Sequence, residues 1–576
     1  MSAQVVRRLS ASLRGAVAVA SALCLGGVLA LPVRAQDAPA DASVNAQQPA
    51  SNANAPAGQA RAAPDKFMIN AFDVEGVAQL DQGTVEDAVY PFTGPDRTSL
   101  DVEAARKALQ QAYAKRGFEA VQVDVPAQPE ETFSQGIVKI AVSEVPIGSV
   151  TVSGSKYHSL AVIRQQLPSV AEGKALNLKS LESDLSGANR FPDRSINPSF
   201  VAGKVPGTVD VDLEVTDSLP VHGSLELTND HSPSTVPLRL TANLSYANLW
   251  QLGHTVSATY IVAPQDRHQS EVFSGSYTIP FLGSPWTLVL YGYSSNSNIN
   301  SLGGTTVLGD GYQVGTRVIY RLPNQKIVQN VTLGADFKHF NQDIALGDQL
   351  ASSSPIEYVP LYASYGLSYG SNKTNLDLTL SVTAGLRTFK KLGCFKVDGT
   401  ACTPAELQDQ FKNKDFDSNE NFVHGNLDLT FKHSLPGQFA GTLKLTGQVA
   451  DSHLVTNEQY AIGGLQTVRG YLQSEAVGDA GYGLSVEIAT PSIASKLTDF
   501  VDELRFFTFV DNGQIRILHA LPDVRRSRAL LSVGGGIRFQ MFKHLYGDLA
   551  VGVPLFNGSD TQRNSIVTTF DMKGQF

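Results

Sequence analysis

The chain has 576 residues, a formal charge of −9 at pH 7 and a sequence pI near 5.7, a balance that argues against nucleic acid as a partner. Beyond the first 35 residues no apolar run reaches the roughly 18 residues of a membrane-spanning helix, so any membrane crossing must use strands. Three cysteines are too few for a disulfide-built scaffold.

Residues 1–35 read as an export signal. Arg7, Arg8 and Arg14 give a positive start, Gly15 to Leu31 an apolar centre, and Val33-Arg34-Ala35 a small-residue cleavage site. Cys24 does not make a lipoprotein site, because Leu23 before it is too large. Cleavage after Ala35 leaves Cys394 and Cys402, an even pair in an oxidising compartment. The intervening CFKVDGTAC holds an Asp-Gly turn, and the pair reads as a disulfide in a surface loop, with two free thiols as the alternative. Residues 36–65 are rich in Ala, Pro, Gln, Asn and Ser. They cannot bury enough apolar surface to offset ordering entropy, and read as a flexible linker.

Residues 66–146 form a small mixed unit. KFMINAFDVEG reads as a strand and Thr84 to Val89 as a helix. LDVEAARKALQQAYAKRG is a second helix with Val102, Ala105, Leu109, Ala112 and Tyr113 on one face. Ser99 is its expected N-cap and Gly117 its C-cap. FEAVQVDVP and GIVKIAVSEV follow as strands, the second an exposed sheet edge. The order strand, helix, helix, strand, strand recurs over residues 147–217, an internal repeat.

From residue 220 to 576 the pattern changes to alternation. In TNLDLTLSVTAGLRTF, Leu376, Leu378, Leu380, Val382, Ala384 and Leu386 face one way, and Asp377, Thr379, Ser381, Thr383 and Arg387 the other. LYASYGLSYG alternates with Tyr and Leu outward. Such dyad patterning over about ten residues, with turns between, marks a transmembrane β-barrel. A soluble sandwich or propeller also alternates, but the export signal, long segments and unequal loops favour the membrane. Sixteen segments are expected, centred from Leu225 to Phe570. In the last, Thr568, Phe570, Met572, Gly574 and the terminal Phe576 share a face, which fits recognition by an outer-membrane assembly machine.

Two motifs fail their structural context. GLSYG at 366–370 matches a nucleophile elbow, but Ser368 sits mid-strand rather than at a strand-to-helix turn. GDGYQVG from Gly309 precedes a strand, so it reads as a turn rather than a phosphate loop. With no HExxH, paired CxxC or P-loop, no enzyme, metal or cofactor is expected. The informative feature is the interruption at 454–480, long for a plain connection. It contains Val468-Arg469-Gly470-Tyr471. Two segments on, in FFTFVDNG and its lead-in, Arg505, Phe507, Phe509 and Asp511 share a parity, opposite Leu504, Phe506, Thr508 and Val510. Charges belong in a hydrated lumen, so Asp511 should point inward.

On these features the chain resembles the outer-membrane transporters of two-partner secretion, the TpsB or haemolysin secretion/activation type. The likeness covers nearly all of the chain from Lys66. It runs through NRFPDRSINPSFVAGKVPGTVDVDLEV, GSLELTNDHSPST and GGLQTVRGYLQSEAVGDAGYGLSVEIATP. The resemblance implies two periplasmic POTRA domains, a sixteen-stranded barrel, and a VRGY loop folded into the pore. Arg469 would pair there with Asp511, beside Phe509 and Gly513. It also implies a function: capture of an unfolded exoprotein, a large β-rich adhesin or cytolysin, and its passage through the barrel, either with or without activation of that cargo. The partners are that exoprotein, outer-membrane lipid and the barrel-assembly machinery. An insertase that assembles other barrels is the alternative, though most such relatives carry more POTRA domains. Many family members carry an N-terminal plug helix, whereas residues 36–65 show no amphipathic periodicity. If Cys394 and Cys402 are bonded, intact protein should resist alkylation until reduced; labelling of both without reductant would establish free thiols.

Overall fold

The computed structural model describes residues 66–576, apart from 190, 192, 234, 303–304, 324–326, 342, 347–348, 354, 388–391, 394–402, 405–407, 416 and 521–523. The expected export signal and linker, and the expected Cys394–Cys402 disulfide, fall outside the described residues.

The first α/β module is a three-stranded sheet backed by two helices. Parallel Ala71–Glu75 and antiparallel Gln122–Asp124 flank a central strand, Ile137–Ser143. GIVKIAVSEV is therefore not a sheet edge. Where Gln122–Asp124 stops short, the Gln128 side chain takes over. It accepts from the Lys139 N–H at 2.7 Å and donates to the Lys139 carbonyl at 3.0 Å. Nor is KFMINAFDVEG one strand. Phe67–Ile69 leaves the sheet to pair with Gly94–Arg97, an element hidden in the sequence because Gly, Pro and Asp are depleted in strands. Helix Ser99–Lys115 buries Val102, Ala105, Leu109 and Tyr113, as its periodicity requires. Its N-cap is Thr98 rather than Ser99: the Asp101 carboxylate accepts from both the Thr98 N–H and hydroxyl at 2.8 Å. Gly117 follows the C-cap Arg116 with φ +93°.

The second module repeats the plan. Its sheet orders Ile147–Ser153, Val209–Asp217 and Arg194–Ala202, with Val209–Asp217 central. Helices Leu160–Gln166 and Leu178–Ala188 pack on it through Ile163, Leu167 and Leu181. One long edge, Arg194–Ala202, stays open. Its last four residues, Ser199 to Ala202, are all exposed, Phe200 and Val201 among them.

Sixteen antiparallel strands then close a barrel. Numbered within the barrel, they are β1 (Val221–Thr228), β2 (Arg239–Leu249), β3 (His254–Val262), β4 (Glu271–Pro280), β5 (Trp286–Leu302), β6 (Thr305–Leu322), β7 (Ile327–Asn341) and β8 (Ile356–Gly370). The second half comprises β9 (Thr374–Leu386), β10 (Val423–Ser434), β11 (Ala440–Ala450), β12 (Ala480–Ala489), β13 (Val501–Arg516), β14 (Ser527–Met541), β15 (Leu545–Pro554) and β16 (Val567–Gln575). Every expected segment centre falls within one of them. Alternation sorts the faces: Leu380, Val382, Phe506 and Val510 are exposed outward, whereas Asp511 and Ser532 are fully buried on the lumen side. Tyr362 breaks the outward-tyrosine expectation and lies on the lumen side, with the Arg317 guanidinium 4.4 Å above its ring. Rings such as Trp286 with Tyr320 and Phe500 with Phe542 form an aromatic girdle at the end nearest the α/β modules. Among the described residues no helix is long and apolar enough to cross a membrane.

Closure is short. β16 meets β1 only from Asp571↔Thr228 to Gln575↔Ser224, and Asn229 extends the seam by side-chain hydrogen bonds to Thr568 and Phe570. Phe570 and Met572 face outward on β16, and the Phe576 ring lies against Gly223, where an added Cβ would stand 2.4 Å from it. The second module is fastened to the barrel's first near-side turn. The Tyr157 carbonyl accepts from Asn248 and Gln251 at 3.2 Å, and Asp193 meets His222 at 2.5 Å. The fold thus presents the long sheet edge Arg194–Ala202 outside the barrel and a long loop that enters its lumen.

Candidate functional site

The loop after β11, residues 451–479, is a small hairpin rather than an irregular coil. Tyr460–Ile462 pairs with Ala476–Gly478, and the tip between them turns down into the lumen. Gly463, Gly464 and Gly470 bend the tip at φ +115°, +85° and +88°, conformations costly for residues with a Cβ. The tip is also tied to two neighbouring loops. Asp230 accepts from the Leu465 N–H at 3.2 Å, and Glu475 accepts from the Asp560 and Thr561 N–H groups at 2.8 Å.

Arg469 sits at the bottom of the tip, 9% exposed, against a fully buried Asp511 on β13. Its Nε and Nη2 donate to the two oxygens of Asp511 at 2.8 and 2.9 Å, a bidentate fork. Nη1 donates to Glu487 on β12 at 2.5 Å, and Nη2 also donates to Ser485 at 3.0 Å. The backbone N–H of Arg469 adds a further bond to Asp511 at 3.0 Å, and Ser532 donates to its carbonyl. The guanidinium lies 3.7 Å from the Phe509 ring centre. Charges then alternate along the wall, Glu487 to Arg538 at 3.1 Å and Arg538 to Asp548 at 2.8 Å. A lysine could neither fork nor stack in this way.

Two neighbours complete the seat. The Tyr471 hydroxyl lies 2.9 Å from the carbonyls of Leu531 and Phe556, fixing the tip to β14 and the loop after β15. Val468 is fully buried over Gly513, where an added Cβ would come within 2.9 Å of it. The floor of the seat is glycine. Gly534 and Gly536 on β14 leave room for the Phe509 and Phe507 rings, and Gly552 on β15 abuts Gly470, with 2.7 Å between an added Cβ and the Gly470 Cα. Sequence reasoning singled out Gly513 but missed Glu487, Ser485, Ser532 and this floor. The signal was present in SVGGGIRF, where two of three glycines share the lumen parity.

A second anchor crosses the lumen. Glu458, in the descending stem of the loop, is 6% exposed and reaches the opposite wall. It accepts from Lys338 on β7 at 2.6 Å and from Tyr358 on β8 at 2.5 Å, and meets His424 on β10 at 3.2 Å. Beside it, Leu454 and Val455 pack with Phe411 and Phe422 from the loop after β9. His453 latches the two loops, 2.8 Å from Asp479 and 3.3 Å from Asp415. The chemistry of both anchors is ionic bracing. Among the described residues no group of three or more His, Cys, Asp or Glu side chains could hold a metal.

The two carboxylates, Asp415 and then Asp479, raise the His453 imidazole to about 10 from an ordinary 6.5. Its contribution is complete below 6.5 and is lost as pH rises through 10. Protease cleavage within residues 403–421 should therefore increase between neutral pH and pH values above 10. His453→Gln should already cleave readily at neutral pH and vary little with pH; an unchanged cleavage profile in the variant would refute the latch.

Comparison with known proteins agrees with this architecture. Residues 207–539 match the family described as haemolysin secretion/activation protein ShlB/FhaC/HecB, and residues 67–144 match the ShlB-type POTRA domain. The chain is 23% identical over 503 residues to the outer membrane transporter CdiB of Escherichia coli O6:K15:H31 (strain 536 / UPEC), covering 85% of this chain and 79% of that protein. It is 21% identical over 497 residues to the heme/hemopexin transporter protein HuxB of Haemophilus influenzae (strain ATCC 51907 / DSM 11121 / KW20 / Rd), covering 81% and 83%. The solved structure of CdiB from Escherichia coli shares the fold, with a TM-score of 0.64 and 18% identity over 91% of this chain and 93% of that one. The chain belongs to the haemolysin secretion/activation family, the outer-membrane transporters of two-partner secretion, with its POTRA region in the periplasm.

Proposed function

We propose that the chain captures an unfolded exoprotein in the periplasm on its second POTRA module and passes it outward through the barrel. The supporting observation is the open edge Arg194–Ala202, whose exposed end presents Phe200 and Val201 as apolar anchors for an added strand. Val205, 62% exposed, extends the apolar surface past the strand. The first module is a poorer acceptor on its inner sheet, because Gln128 occupies the free stretch of the central strand. Fastening of the second module to the first near-side turn delivers a captured strand to the mouth of the barrel. The role calls for no catalytic group or cofactor. The seated loop keeps the lumen occupied at rest, and its two ionic anchors must yield for cargo to pass. Folding of the cargo outside then opposes its return.

Residues 66–217 should fold alone and bind the N-terminal segment of the secreted partner. Phe200→Asp with Val201→Asp should weaken that binding by more than about 1 kcal/mol, roughly fivefold, with the fragment's circular dichroism unchanged. A folded double variant that binds as well as the parent would place capture elsewhere. A folded parent fragment that binds nothing would favour assembly of other barrels instead.

A further inference from the structure

We propose that the segment captured on the second module is a short extended strand, apolar towards the helices and carrying lysine or arginine on the opposite face. This deepens the capture reading above and rests on it. Backbone parity defines the acceptor. The Gly203 N–H donates to the Thr208 carbonyl and the Ser218 N–H to the Asp193 carbonyl, both at 2.9 Å. Odd-numbered residues of Arg194–Ala202 therefore turn their backbone groups to the central strand, and even-numbered ones to the open edge. The first of these are already taken. The Arg194 N–H donates to the Phe191 carbonyl at 3.3 Å. Asn189 imitates a strand against Ile196, accepting from its N–H at 2.7 Å and donating to its carbonyl at 3.0 Å. Among the described residues, what remains is the Pro198 carbonyl and both backbone groups of Phe200 and Ala202. Proline has no N–H to offer. The acceptor window thus runs from Pro198 to Ala202 and ends at the turn that Gly203 closes.

The two faces beside this window differ. Phe200 and Ala202 share the parity of Ile196, which is 1% exposed in the core under the helices, yet Phe200 is 41% exposed. An added strand covers that ring with apolar side chains of its own. The opposite face carries no helix. Its central strand presents Asp210, Asp212 and Glu214, flanked by small side chains such as Thr151, Ser153 and Ser199. Asp212 accepts from the Thr151 and Ser153 hydroxyls at 2.8 and 3.0 Å, and Asp210 from the Lys204 backbone N–H at 3.4 Å. The ion pairs of the module lie elsewhere, joining His158 to Asp217, Arg164 to Glu172 and His222 to Asp193. Among the described residues no cationic side chain pairs with the three carboxylates of this face.

Register brings the edge and the carboxylates together. Ser199 pairs with Asp212 and Val201 with Asp210, both within the window, and Asn197 pairs with Glu214 one step before it. Whichever way an added strand runs, its residue level with Ser199 points to this same face. That strand lies two strand spacings, about 10 Å, from the central one. A lysine or arginine there extends across the small Ser199 side chain to the Asp212 carboxylate. A glutamate in its place would meet only like charge. The edge accepts a backbone of any sequence, and the carboxylates beside it select a basic one.

The test measures binding of peptides of about seven residues, an ordinary strand length, to the full-length protein in detergent. Three peptides alternate valine with lysine, glutamate or serine, and a fourth is the valine–lysine peptide with every backbone amide N-methylated. Wild-type protein should bind the lysine peptide about threefold more tightly than the serine peptide, as exposed ion pairs allow, and the glutamate peptide more weakly than either. High salt should shrink these differences. The N-methylated peptide, which keeps its side chains but has no N–H, should not bind. Asp210→Asn/Asp212→Asn should remove the preference for lysine and leave binding of the serine peptide unchanged. Ala202→Pro removes an edge N–H but no ladder bond, and should weaken all three unmethylated peptides. If Ala202→Pro does not give a folded, heat-modifiable barrel, the N-methylated peptide decides in its place. Equal binding of the lysine, serine and glutamate peptides, all lost in Ala202→Pro, would overturn the basic assignment and leave capture at this edge standing. Binding that survives both Ala202→Pro and N-methylation would overturn the edge, and the capture reading with it. Self-association that Ala202→Pro abolishes, with no peptide bound, would give the edge to a second copy of this chain.

Discussion

The tip of the loop that enters the barrel is seated by one buried ionic contact, Arg469 on Asp511. Its strength comes from completeness more than from charge. Every nitrogen of the guanidinium has an acceptor, its face is covered by Phe509, and the chain on either side is pinned by Ser532 and Tyr471. Breaking one side of a fully buried pair costs about 3–5 kcal/mol, because the other charge is left stranded. A partly hydrated lumen lowers that figure, and Glu487 shares the load. The contact is therefore strong enough to hold the loop tip in its seat.

The surrounding structure serves this contact. The glycines of β14 and β15 are small so that two phenylalanines and the loop tip can enter. Glu458 fixes the stem against β7, β8 and β10, opposite the wall that holds Arg469. The loop consequently spans the lumen as a strut with ionic feet on both walls. His453 ties the neighbouring loop to the top of the strut.

Much of this was legible in the residues. The dyad pattern located all sixteen strands, because lipid on one side and water on the other impose a strict parity. The same parity turned Asp511 inward. The pairing with Arg469 came from resemblance; spacing alone could not supply it, because 42 residues and a barrel wall separate the partners. What stayed hidden were contacts made by composition-neutral residues. Glycines 534, 536 and 552 act through absent side chains, and Gln128 blocks a sheet edge by imitating backbone. The strand Gly94–Arg97 was masked by its own turn residues, and the cap moved one place because Thr98, not Ser99, has an acidic partner three residues on.

The most direct test of the strut is a double-mutant cycle on Arg469→Ala and Asp511→Ala, scored for barrel insertion, protease access to residues 463–475 and cargo secretion. If the pair seats the loop, each single change exposes the tip and impairs secretion while the barrel still inserts, and the double variant is scarcely worse than either. Full secretion with a protected tip in Arg469→Ala, or strictly additive losses across the cycle, would contradict it.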